Sequence, residues 1–225
     1  MKNHKQLLLL LFVTLLAISM LGSGCAVVVT DTKIKTFPMV YEENPLNILV
    51  LPPMNESTSP DAKEYFMSTL VPPLTEMGYY ILPTEIVNEV LKNEGVYDSE
   101  VINSDAIGKF ADYFGADAVL WTTIKQWDKS YMLLGGNVEV EVEYSLQSTK
   151  TQETLWSYMG KLKVDTGGDS SGGLFAMLVE TAIKTATTDY VPIARKVNVK
   201  VMNTMPAGNY HPRHGIDQED EVLIK

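Results

Sequence analysis

Val138-Glu139-Val140-Glu141-Val142-Glu143-Tyr144-Ser145-Leu146 alternates apolar and polar side chains with a period of two. In an extended strand, successive side chains point to opposite faces, so this stretch reads as a β-strand with one face in a core and one in water. A turn-like segment from Gln147 to Gln152 follows, and then a second strand from Glu153 to Val164. On that strand Trp156, Tyr158, Leu162 and Val164 share one face, so the pair is expected to form an antiparallel hairpin. Beyond it lie a glycine-rich loop, Gly167 to Gly173, and a helix from about Leu174 to Tyr190. A polar tail from Asn203 is expected to be a surface strap or disordered.

The half before the hairpin has a different texture. Ile48-Leu49-Val50-Leu51, closed by Pro52-Pro53, is a continuous apolar run that suits a strand buried on both faces. Ser59-Pro60-Asp61 marks a helix start, with Tyr65, Phe66 and Leu70 as its apolar face and Pro72-Pro73 expected to kink or restart it. Gly78 ends it before a short strand, Tyr79 to Leu82. Thr84 is expected to cap a helix carrying Ile86, Val87, Val90 and Leu91, and Ser104 a second carrying Ile107, Phe110, Ala111 and Phe114. Ala118 to Thr123 is a further strand. The order β-α-β-α-α-β followed by a hairpin predicts an α/β (α+β) fold: a mixed β-sheet with an antiparallel hairpin and helices packed on it.

The N-terminus has the layout of a secretory signal. Lys2, His4 and Lys5 precede an apolar stretch from Leu7 to Leu21, and the small residues Gly22, Ser23 and Gly24 stand directly before Cys25. Cys25 is the single cysteine of the 225 residues, so no disulfide can form within the chain. Its position resembles a lipobox, in which the thiol is diacylated and becomes the new N-terminus, although Gly22 stands where the motif usually has Leu. A free thiol on an exported protein is the alternative. Ala26, rather than Asp, follows the cysteine, which favours the outer membrane over retention in the inner one.

The expected organisation is a signal peptide over 1–24, a lipidated N-terminus and tether over 25–46, an α/β domain over 47–202 and a C-terminal tail over 203–225. Removing residues 1–24 leaves 201 residues, takes away Lys2 and Lys5 but no acid, and lowers the formal charge from −10 to −12. Such an acidic chain is a poor partner for nucleic acid or for anionic lipid surfaces. A tether of about 20 extended residues would let the domain stand up to about 65 Å from the membrane.

Several motifs invite chemistry. Gly168-Asp169-Ser170-Ser171-Gly172 matches G-x-S-x-G, with Asp189 and His211 following in the order of a hydrolase triad. The strand before it is amphipathic rather than buried in a parallel sheet, so a flexible connection is the preferred reading and a serine hydrolase an alternative. His211 and His214, with Asp217, Glu219 and Asp220 nearby, could ligate a cation, yet Pro212 breaks any helical face and no second cluster converges. No metal, no cofactor and no catalytic residues are expected. The Glu139/Glu141/Glu143 row reads as the solvent face of a sheet, with the lumenal face of a pore strand as the alternative. Tyr131, Met132, Leu133 and Leu134 form an apolar patch in a predicted loop and are the candidate partner contact.

Five segments carry a family resemblance: Leu51-Pro52-Pro53-Met54-Asn55-Glu56-Ser57, Gly78-Tyr79-Tyr80-Ile81-Leu82-Pro83, Gly115-Ala116-Asp117-Ala118-Val119-Leu120, Glu153-Thr154-Leu155-Trp156, and Pro206-Ala207-Gly208-Asn209-Tyr210-His211-Pro212. In this order they resemble a bacterial lipoprotein family of unknown function, itself similar to CsgG-type lipoproteins of curli secretion and to the N-terminal domain of TolB. The resemblance implies a TolB-N/CsgG-like fold and an outer-membrane lipoprotein facing the periplasm. It further implies a non-catalytic accessory in envelope transport, secretion or surface assembly, acting with CsgG-like partners. A pore-forming CsgG-like homo-oligomer is the alternative within that resemblance, and the extra membrane hairpins of such channels are not evident here.

Overall fold

The computed structural model describes residues 29–97, 99–102, 106–132, 135–165 and 191–224. In chain order the elements are β1 (Val29–Thr32), α1 (Lys33–Thr36), α2 (Pro38–Glu43), β2 (Asn47–Val50), β3 (Met54–Asn55), α3 (Ala62–Glu76), β4 (Tyr80–Ile81), α4 (Thr84–Asn93), α5 (Lys109–Phe114), β5 (Ala118–Met132), β6 (Gly135–Ser148), β7 (Thr154–Asp165), α6 (Val191–Met202) and β8 (Glu221–Ile224). The body is Asp31–Val222, and among the described residues Val29, Thr30, Leu223 and Ile224 belong to a separate small unit. β1 and β8 pair as a two-stranded ribbon.

The main sheet is mixed, in the order β4-β2-β5-β6-β7, with β3 added beside β5. β2 runs parallel to both β4 and β5, and β5-β6-β7 form an antiparallel meander. The expected α/β architecture is therefore found. β2 shows why a continuous apolar run is needed at the sheet centre. Ile48 and Val50 point into one core with Phe66, Leu70 and Leu74 of α3 and Val197 and Val201 of α6. Leu49 and Leu51 point into a second core with Val87 and Leu91 of α4 and Phe110 of α5. Burial on both faces removes the alternation that a half-exposed strand shows.

The alternating strand behaves as its period demands. Val140, Val142, Tyr144 and Leu146 are fully buried, while Glu139, Glu141 and Glu143 line the opposite face. There Lys161 of β7 bridges Glu139 and Glu141 at 2.8 and 2.6 Å, and Lys125 of β5 bridges Glu143 at 3.2 Å and Glu56 at 2.9 Å. The row is a laddered surface of opposite charges, and its carboxylates hold the Lys161 ammonium well above its ordinary range.

A buried polar relay ties the layers together. The Tyr144 hydroxyl donates to Asn198 Oδ1 of α6 at 2.7 Å, Asn198 Nδ2 donates to Thr69 Oγ1 of α3 at 2.9 Å, and Thr69 donates to the Phe66 carbonyl at 2.8 Å. Burial pushes the Tyr144 phenol up, which keeps it a donor. Gly160 of β7 lets α6 approach: a Cβ there would lie 2.6 Å from Val201 and 2.9 Å from Val197.

Local details differ from expectation. α3 runs unbroken through Pro72 and Pro73, and its Tyr65 is exposed while Phe66, Thr69, Leu70 and Leu74 face the core. On α4 the buried pair is Val87 and Leu91, leaving Ile86 and Val90 outside, and Thr84 is the first helical residue rather than the cap. β5 extends to Met132, nine residues beyond the expected end, so Tyr131 and Met132 close a strand, paired with Gly136 and Gly135, rather than occupying a loop. The expected helix Leu174–Tyr190 and the cap at Ser104 lie outside the described residues.

The largest corrections concern the two ends. Residues 33–43, expected in a tether, form two short helices that bury Lys33, Phe37 and Val40 in the body. The tail, expected to be a surface strap or disordered, buries Met205, Ala207, Asp217 and Val222. An aromatic chain joins the first of these to the sheet: Phe37 to Trp156 at 6.3 Å, Trp156 to Tyr144 at 6.2 Å and Tyr144 to Phe66 at 6.0 Å between centroids, all tilted. Each such pair adds about 0.5–1.5 kcal/mol beyond its buried area.

Candidate functional site

The two misjudged segments meet at one carboxylate. Asp217 is nearly inaccessible and accepts three hydrogen bonds, from Lys33 Nζ at 3.2 Å, Tyr41 Oη at 3.2 Å and the Ala207 backbone N–H at 2.8 Å. Lys33 Nζ also donates to the Met205 carbonyl at 2.6 Å. A buried ion pair is stabilised when its remaining donors and acceptors are engaged, and here two Lys33 donors and both Asp217 oxygens have partners. Burial, and after it the Asp217 charge, pushes the Tyr41 phenol far above its ordinary range, so it stays protonated and donates. Main-chain bonds extend the clasp: Lys33 N–H to the Asp220 carbonyl at 2.9 Å and Ile34 N–H to the Gln218 carbonyl at 3.1 Å.

Two of the segments that carry the family resemblance pack against each other beside this clasp. Gly208 N–H donates to the Met77 carbonyl at 2.8 Å and Tyr210 N–H to the Gly78 carbonyl at 3.0 Å. Gly78 has φ of +82°, and a Cβ on it would collide with the His211 backbone; a Cβ on Gly208 would lie 2.5 Å from the Gly78 carbonyl oxygen. Backbone contact this close requires glycine on both sides. The Tyr79 hydroxyl donates to the Pro206 carbonyl at 2.8 Å, closing the seam.

A pocket of about 160 Å³ opens between α2 and the tail, lined by Val40, Tyr41, Asn44, Tyr79, Pro206 and His214 among others. That is below the roughly 300–1,000 Å³ of small-molecule sites, and fits a single side chain at most. His214 Nδ1 contacts the Ala207 carbonyl at 2.9 Å, and His211 Nδ1 accepts from the Arg213 N–H at 3.1 Å. Asp217 belongs to Lys33, and Asp220 to Arg213 through two 2.7 Å bonds. The His/Asp segment is thus committed to holding the tail in place. Among the described residues no three His, Cys, Asp or Glu side chains gather as metal ligands.

The other expected site residues divide as follows. Cys25, Leu133, Leu134, Asp189 and the Gly168–Gly172 loop with Ser170 and Ser171 lie outside the described residues. Tyr131 and Met132 end β5 at the tip of the meander. What the sequence did not single out is β7 itself. Eleven of its twelve residues pair with β6 on one side, and among the described residues no strand pairs with its other side. Ser157 and Lys161 are exposed along it. An edge of that length presents a row of main-chain donors and acceptors that another strand can join. Among the described residues no helix is long and apolar enough to cross a membrane.

Comparison with known proteins bears on the fold and the family. The chain is 31% identical over 142 residues to "Putative lipoprotein NMB1124/NMB1162" of Neisseria meningitidis serogroup B (strain ATCC BAA-335 / MC58), covering 63% of this chain and 66% of that relative's length. The crystal structure of lipoprotein GNA1162 from Neisseria meningitidis, also 31% identical, matches with a TM-score of 0.53 over 62% of this chain and 96% of that one. Neither description states a catalytic activity. Residues 37–209 match the profile of the family described as "Putative lipoprotein GNA1162-like". The chain is therefore a member of the GNA1162-like lipoprotein family.

Proposed function

We propose that the chain is anchored in the outer membrane through acylated Cys25, faces the periplasm, and serves as a non-catalytic accessory in envelope transport, secretion or surface assembly. It does so by offering its sheet to another envelope protein, a CsgG-like lipoprotein being the partner the sequence resemblance names. The observation that carries this reading is the long β7 edge. β-Strand addition gives affinity through main-chain hydrogen bonds and specificity through alternate side chains, and needs only such an edge. Family membership supports the anchor, and Ala26 after the cysteine supports the outer membrane. Within the tail, Asp217 is engaged by Lys33 and the Ala207 N–H, and Asp220 by Arg213, which favours a structural use of these carboxylates.

The test is site-specific photocrosslinking in cells. A crosslinker placed at Ser157 on β7 should give a discrete product with another envelope protein, and one at Ile86 on α4 should not. Equal, diffuse labelling at both positions, or no product at any position along β7, would refute the edge as the working surface.

A further inference from the structure

Lys33 is the first buried side chain of the body and stands eight residues after Cys25. Eight residues, however extended, span at most about 28 Å. A compact body of this length has a radius of gyration of roughly 16 Å, hence a diameter of roughly 40 Å. A leash shorter than the body cannot wrap around it, so the side on which Lys33 enters must stay near whatever holds Cys25. That side is defined by the clasp: the backbone of Lys33 and Ile34 is hydrogen-bonded to Asp220 and Gln218, and Lys33 Nζ is paired with Asp217. The turn leading into Asp217 therefore lies next to the entry point. Its tip, Ile216, is 71% exposed, Arg213 stands beside it on the surface, and Lys35 projects from α1.

We infer that the turn Arg213–Asp217, with Ile216 at its tip, rests on the phospholipid surface to which the chain is anchored, while α4 on the opposite face of the sheet points away. The inference rests on acylation of Cys25. The chemistry of the turn fits a lipid interface of low net charge. Ile216 offers an apolar side chain to the headgroup boundary, and Arg213 and Lys35 offer donors to phosphate. Asp220 and Asp31, paired with those two cations, and Glu219 and Glu221 nearby prevent a strong pull towards anionic lipid. The contact is thus weak by itself and depends on the anchor, which fixes orientation without requiring a basic patch.

Acylation consumes the thiol of the single native cysteine, so an introduced cysteine can be labelled alone. Full-length acylated I216C and I86C carry a fluorophore in phosphatidylethanolamine/phosphatidylglycerol vesicles containing headgroup-attached spin-labelled lipid. Quenching should be about twofold or more greater at position 216 than at 86, and a Gly/Ser insertion of about 20 residues after Ala26 should erase the difference, because the leash then exceeds the body. Equal quenching at both positions, or more at 86, in acylated and vesicle-bound protein would overturn the orientation while leaving the anchor intact. A chain without acyl groups that does not bind the vesicles would overturn the anchor and the inference together.

Discussion

Replacing Asp217 by Ala should be among the most damaging single substitutions in this chain. The carboxylate is buried, and its removal leaves the Lys33 ammonium without its counter-charge, the Ala207 N–H without an acceptor and the Tyr41 hydroxyl without its partner. Lys33 keeps only its bond to the Met205 carbonyl. Breaking a buried pair from one side costs about 3–5 kcal/mol, chiefly through the uncompensated charge. Against a total of about 5–15 kcal/mol for a domain, that is a large share. It corresponds to a fall in Tm of about 6–20 °C for a protein of this size. The double variant Lys33→Met with Asp217→Leu should cost less than Asp217→Ala alone, since both leave the Ala207 N–H and the Tyr41 hydroxyl unpaired and only the single variant also leaves a buried charge without its partner. Urea denaturation of the mature chain, followed by far-UV circular dichroism, measures both. A loss below about 1 kcal/mol for Asp217→Ala, or a double variant worse than the single, would refute the clasp as a desolvated ion pair.

Tyr144→Phe should cost about 1–3 kcal/mol by leaving Asn198 Oδ1 without its donor inside the core, read from the same urea curves. Gly160→Ala should cost about 1–3 kcal/mol by forcing α6 away from β7, and a concurrent Val201→Ala should recover part of it. The phenols of Tyr41, Tyr79 and Tyr144 are all raised, first by burial and, for the first two, next by the Asp217 charge. A raised folded value means their contribution is intact below the unfolded value near pH 10 and is lost as pH climbs towards the folded value. Tyrosinate absorbance should therefore rise in two stages, with a late stage that coincides with loss of the circular dichroism signal. A single early rise with the fold intact would show these rings to be wet.

The parts of the fold that were legible in the sequence are those set by local period. Val138 to Leu146 could be read because burial of one face imposes alternation, and Ile48 to Leu51 because burial of both faces abolishes it. Tyr65 misled because it lies at the margin of the apolar stripe that Phe66, Leu70 and Leu74 form, where a few tens of degrees decide exposure. The ends were illegible for a different reason. Phe37 and Val40 are too few to show a period, and the partner that buries Lys33 stands 184 residues away. The tail is held by main-chain bonds to Met77 and Gly78 and by one carboxylate, none of which leaves an apolar pattern. The one available signal was the pair Gly78 and Gly208 within the resembling segments, since glycine marks close backbone approach. Of the candidate site, Gly135-Gly136 reads as a breaker and so predicts a loop for the Tyr131 patch, whereas the ladder continues through both glycines. The β7 edge could not be foreseen, because strand order is a property of the assembled sheet.

The claim on which the functional account stands is the anchor, and acyl-label mass analysis with membrane fractionation of wild type and Cys25→Ala tests it most directly. The account predicts a mature wild-type N-terminus at Cys25 carrying acyl chains, found with the outer membrane, and an unacylated, soluble Cys25→Ala chain. An unmodified, soluble chain in both strains would contradict it.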